Sequence, residues 1–162
     1  MEPVLSRAAR DHAGARAAVA LAAVCLVLWA PGLARAEPRV LVFSKTAGFR
    51  HDSIADGVAL LAELAEAYGF AVDATEDGGG FSDAGLAPYR GVVFLNTTGD
   101  VLDAAQEEAL ERWVTSGGGW VGVHAAADTE YDWPFYGALL GGAWFLSHPQ
   151  IQSAVLEVSV AG

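Results

Sequence analysis

His51, His124 and His148 are the side chains best suited to move protons or hold a metal near neutral pH. Each stands among hydroxyl-bearing or acidic neighbours. His51 lies in Ser44-Lys45-Thr46-Ala47-Gly48-Phe49-Arg50-His51-Asp52, His124 opens the run to Trp133, and His148 sits in Ser147-His148-Pro149. Asn96-Thr97-Thr98-Gly99-Asp100 forms a further polar cluster. His124 is the sharpest of these. In Gly122-Val123-His124-Ala125-Ala126, small neighbours permit an abrupt strand-to-loop turn of the kind that exposes a reactive side chain. The chemistry would be proton transfer by His124, Asp128 and His51. Lys45, Thr46, Asn96, Thr97, Thr98, Thr129 and Tyr131 would supply hydrogen bonds to a polar substrate. The neutral imidazoles of His51, His124 and His148 also suit a divalent metal such as zinc. They stand 73 and 24 residues apart, so only the fold could assemble them. Structural readings stand beside these. His51 and Asp52 suit a helix cap, Thr97 to Asp100 suits a polar turn, and His124 suits a core histidine bonded to a carbonyl. Asp128 and Asp132 offer two carboxylates to a glycosidase, but nothing in the sequence sets their separation.

The elements that must carry these loops are legible as alternating patterns. Arg39 to Phe43 is a short apolar run, as expected of a strand buried on both faces. Ser53 can cap a helix over 54–68, with Ile54, Val58, Leu61 and Leu64 on one face and Gly69 at its stop. Strands are expected over 70–74, 91–95, 120–123 and 152–160, and helices over 103–116 and 134–140. Gly78-Gly79-Gly80 reads as a turn and Gly117-Gly118-Gly119 as a helix stop, since a phosphate loop would precede a helix and carry a lysine. This rhythm predicts an α/β fold of three layers around a mainly parallel sheet. In such sheets ligands bind beyond the carboxyl ends of the strands, where the polar loops fall. Trp133, Phe135, Tyr136, Trp144 and Phe145 read as packing residues rather than a sugar platform.

Residues 1–36 read as a cleavable signal peptide. Arg7, Arg10 and Arg16 precede a 14-residue apolar run from Ala17 to Ala30, and Ala34-Arg35-Ala36 is a small-x-small cleavage signature. The run is shorter than the roughly 20 residues that cross a bilayer as a helix. An exported, periplasmic or secreted domain over 37–162 is the expectation. Cys25, the only cysteine, would leave with the leader, so the remainder has neither a disulfide nor a thiol nucleophile. Four of the nine basic and two of the twenty acidic residues lie in 1–36, which turns the net charge of −11 into −13 for the remainder. So acidic a surface repels phosphate backbones and anionic lipid, which argues against nucleic-acid and membrane-surface roles.

Three strings carry a family resemblance: Val42 to His51, Leu95 to Asp100, and Gly118 to Thr129, with Ser147-His148-Pro149 fitting as well. Together they resemble the ThuA-like (trehalose utilisation) domain family across essentially all of 37–162. The resemblance implies a flavodoxin-like fold of the class I glutamine amidotransferase-like superfamily, linked to carbohydrate metabolism, with a sugar or sugar derivative as ligand. In glutamine amidotransferases the elbow after the corresponding strand carries a catalytic cysteine. Here that place falls to His124 or Ala125, so the fold is expected without the glutaminase reaction. A sugar-modifying enzyme using His124 and Asp128 is the leading reading. A non-catalytic carbohydrate-binding or interaction domain is the alternative. The family domain continues past the last strand of this sequence, so the domain reads as incomplete at its C-terminal end.

Overall fold

The computed structural model describes residues 37–147 together with Ser153 and Val155. Four five-residue strands form one all-parallel sheet in the order β2-β1-β3-β4: β1 (Arg39–Phe43), β2 (Ala71–Thr75), β3 (Gly91–Leu95) and β4 (Gly119–Val123). Between them run α1 (Ile54–Tyr68), a short α2 (Asp83–Leu86) and α3 (Ala104–Thr115), and α4 (Pro134–Leu139) follows β4. Two single-turn 3₁₀ helices complete the described chain, at Gly78–Gly80 and His124–Asp128. The order is that of a flavodoxin-like α/β fold, in which the winding reverses between β1 and β3. Among the described residues no helix is long and apolar enough to cross a membrane. The fifth strand expected over 152–160 lies outside the described residues, apart from Ser153 and Val155.

Side-chain alternation along the buried strands divides the interior into two layers. Leu41, Phe43, Val92 and Phe94 face α3 and α4, where Leu110, Trp133 and Tyr136 complete the larger core. Val42, Val93 and Leu95 face the other way and pack with Val58 and Leu61 of α1. Gly57 lets α1 approach β3 closely, because a Cβ there would stand 2.9 Å from Leu95 Cδ1. β4 is less buried than β1 and β3. Val121 and Val123 point to the α1 side of the sheet and are exposed, while Trp120 packs on the larger core.

The helix ends follow local chemistry. Asp103 and Gln106 form a reciprocal capping box at the start of α3, each side chain accepting from the other's backbone N–H. Gly69 closes α1 in the left-handed region at φ 72°, where a residue without Cβ has no steric penalty. Ser53 occupies the N-cap position of α1, but its side chain caps no amide. Its hydroxyl accepts from Asn96 Nδ2 instead, which ties α1 to the end of β3.

Candidate functional site

The carboxyl ends of β1, β3 and β4 are knitted together beyond the sheet proper. Thr46 and Thr98 form a parallel bridge, as do Gly99 and Thr129. Ala47 N–H donates to Thr98 O at 2.7 Å, and Gly99 N–H to Asp128 O at 2.7 Å. These bonds extend the parallel pairing into the loops and hold them at the point where the winding reverses.

On this edge the fold joins two residues 73 positions apart. His51, from the loop after β1, and His124, the first residue after β4, meet with Nε2 atoms 3.2 Å apart. Their rings cross edge to face at 83°, and Phe49 makes a second T-shaped contact with His51. A hydrogen bond between two such nitrogens requires one to carry a proton and the other to be bare, so the pair can give and take a proton at one point. His124 is held at φ 51°, a left-handed conformation that a non-glycine residue rarely adopts. It therefore occupies the strained elbow itself, and Ala125 follows it buried. Asn96, at the end of β3, is likewise left-handed at φ 52°. It is buried, and its Oδ1 accepts no hydrogen bond. His51 Nδ1 is the other buried polar atom without a partner on this edge. Unpaired buried polar groups and strained backbone at one place are characteristic of functional sites rather than of scaffold.

The remaining candidates divide by accessibility. Thr97, Thr98 and Thr129 are wholly enclosed. The Thr97 and Thr129 hydroxyls bond each other at 2.9 Å, and Thr98 Oγ1 donates to Phe49 O at 2.9 Å while accepting from Gly48 N–H. These three hydroxyls are committed within the fold and brace the floor of the site. Lys45 Nζ donates to Val101 O at 2.7 Å, so its ammonium is engaged by the backbone. Thr46 lies half-buried at the bridge to Thr98. Asp128 closes the 3₁₀ turn begun by His124. It accepts from the Tyr131 hydroxyl, and no hydrogen bond joins it to either histidine. Tyr131 remains exposed and stacks on Trp144, and burial of its hydroxyl beside Asp128 pushes its pKa up to about 12. His148 lies outside the described residues. Of the aromatic residues, Trp133 and Tyr136 are core. Trp144 is half-buried, with its indole N–H on Thr129 O.

One ionisable group in this region escaped the sequence reading. Glu130 is buried at φ 51°, and its Oε1 accepts from Val101 and Leu102 N–H, each at 2.9 Å. Burial raises its pKa from 4.5 to about 7, with Asp100 and Glu107 adding like-charge repulsion. A single glutamate in a polar run has no periodicity to announce it. Its burial follows from the bridge that pulls Thr129 under Gly99. An acid whose pKa is raised by folding binds its proton more tightly in the native state. Its contribution is therefore most favourable below the unfolded value of 4.5 and is lost as pH rises towards 7. Glu130→Gln keeps an acceptor for both amides and removes the charge. Urea unfolding from pH 5 to 8 should then lose a downward slope in stability worth about 2–3 kcal/mol.

With this geometry in view, the comparisons with known proteins are direct. The family model described as ThuA, trehalose utilisation, matches residues 39–161. The chain belongs to the ThuA family. The crystal structure of a ThuA-like protein from Bacteroides uniformis has the same fold, at a TM-score of 0.53 and 24% identity. The match covers 69% of this chain and 47% of that one, so the chain spans about half the length of its structural neighbour. No curated protein matches it. The matched span contains all three strings that resemble the family, Val42 to His51, Leu95 to Asp100 and Gly118 to Thr129.

Proposed function

We propose that this ThuA domain is a sugar-modifying enzyme whose proton-transfer centre is the His51–His124 pair. The observation that carries the reading is the 3.2 Å approach of the two Nε2 atoms at the carboxyl edge of a parallel sheet, on an elbow held in left-handed strain. Membership of a trehalose-utilisation family supports a carbohydrate as the ligand. Interconversion or cleavage of sugars calls for removing a proton from a hydroxyl or carbon and returning one nearby. A pair holding one proton between two nitrogens suits that exchange. Asp128 and Tyr131, hydrogen-bonded to each other in the segment that follows His124, would supply hydrogen bonds to sugar hydroxyls. Glutaminase chemistry is not part of the proposal: the elbow carries His124, and Cys25, the only cysteine, precedes the domain. The basic, apolar and small-residue pattern of 1–36 supports an exported setting.

The test is a titration of the 162-residue chain with trehalose, other disaccharides and their oxidised derivatives, following the imidazole Cε1–H resonances of His51 and His124. A saturable shift of both resonances, with slow conversion of the same sugar, is the expected result. A shift without conversion would leave a carbohydrate-binding module, and indifference of both resonances to every sugar would reject the reading.

A further inference from the structure

We propose that the His51–His124 pair holds a divalent transition-metal ion through its two Nε2 atoms, with the other coordination positions given to oxygens of the bound sugar. The proposal rests on the sugar-directed reading of the same site; with the ion bound neither Nε2 carries a proton, so the metal would replace proton sharing as the group that acts on the sugar.

The geometry suits a metal as well as a proton. Zinc–imidazole bonds are about 2.0–2.1 Å long, so two Nε2 ligands of one tetrahedral ion lie about 3.3–3.4 Å apart. The observed Nε2–Nε2 separation is 3.2 Å. It corresponds to a ligand–metal–ligand angle of about 100° at those bond lengths. The ligands come from rigid places: His124 is the residue at which β4 ends, and His51 is braced by Phe49 and by the start of α1. Coordination through Nε2 fixes the remaining proton of each neutral ring on Nδ1. His51 Nδ1 is buried without an acceptor, and Asn96 Oδ1, on the neighbouring strand end, is buried without a donor. The edge thus holds an unsatisfied donor and an unsatisfied acceptor beside the proposed ligands.

Two imidazoles alone leave an ion open on its remaining sides. Such a site selects a ligand that chelates, and adjacent sugar hydroxyls, or a hydroxyl beside a carbonyl, are chelating oxygens. A metal there would polarise the sugar oxygen it binds. The three carboxylates of Asp100, Glu107 and Glu130, whose oxygens lie within 4.8 Å of one another, are the competing location for a cation.

The experiment is Co²⁺ titration of the 162-residue chain, read by visible absorption and by paramagnetic broadening of the histidine resonances, and repeated in His51→Gln, His124→Asn and Glu107→Gln. One saturable site is expected, with His51 and His124 broadened first. Binding should weaken at least about tenfold in each histidine variant and stay unchanged in Glu107→Gln. The broadening needs no variant, so a misfolded substitution does not decide the outcome. No saturable binding, or binding lost only in Glu107→Gln, would overturn the metal site. The metal-free sugar titration would still report separately on the proton-transfer reading.

Discussion

His124→Asn is expected to lower turnover of the sugar substrate by about 100- to 10,000-fold, the usual contribution of one positioned acid–base group. Asparagine is chosen because it adopts the left-handed region readily, and His124 sits there at φ 51°. The backbone elbow is then retained while the titratable ring is removed. Binding of the sugar should weaken much less than turnover, because the ring acts chiefly on the proton in flight. Steady-state kinetics with circular dichroism on the same preparations checks this. An intact fold with undiminished turnover would show that the pair takes no part in the chemistry. His51→Gln should fall by a similar factor, and the double variant by little more than either single one, since the two rings form one unit.

Phe94→Ala is expected to destabilise the domain by about 3–5 kcal/mol in urea unfolding, the range for truncating a buried aromatic. Phe94 is fully buried as the fourth of the five residues of β3. Its ring lies 5.2 Å from Phe43, 5.6 Å from Tyr136, 5.8 Å from Trp120 and 5.9 Å from Phe81, centroid to centroid. Those partners come from β1, α4, β4 and the turn before α2, so one ring joins four separate stretches of chain. The cavity cannot collapse locally, because three of the neighbours are themselves held by strands or a helix. Against a typical domain stability of about 5–15 kcal/mol, the loss is large enough to shift the unfolding midpoint clearly. A loss below about 1 kcal/mol would mean that the aromatic cluster repacks freely.

Much of this protein was legible in its residues because the signals were local. Continuous apolar runs at Arg39–Phe43 and Gly91–Leu95 identify strands buried on both faces, and helical periodicity over Ile54–Tyr68 ending at Gly69 identifies α1. Alternation of such elements determines a parallel α/β sheet, and that in turn determines which loops lie on the ligand-binding edge. The placing of the His51 and His124 loops on that edge was therefore legible in the sequence. What the chain could not reveal is which members of those loops face outwards. A threonine in a polar run looks the same whether its hydroxyl meets solvent or, like those of Thr97 and Thr129, is enclosed and bonded to another. Ser53 reads as a cap, yet its partner is Asn96, 43 residues away. The approach of His51 to His124, the left-handed elbow and the buried charge of Glu130 depend on the register of β1 with β3 and of β3 with β4. Register is set by packing among residues distant in sequence, so pairing, burial and strain at the site belong to the tertiary structure.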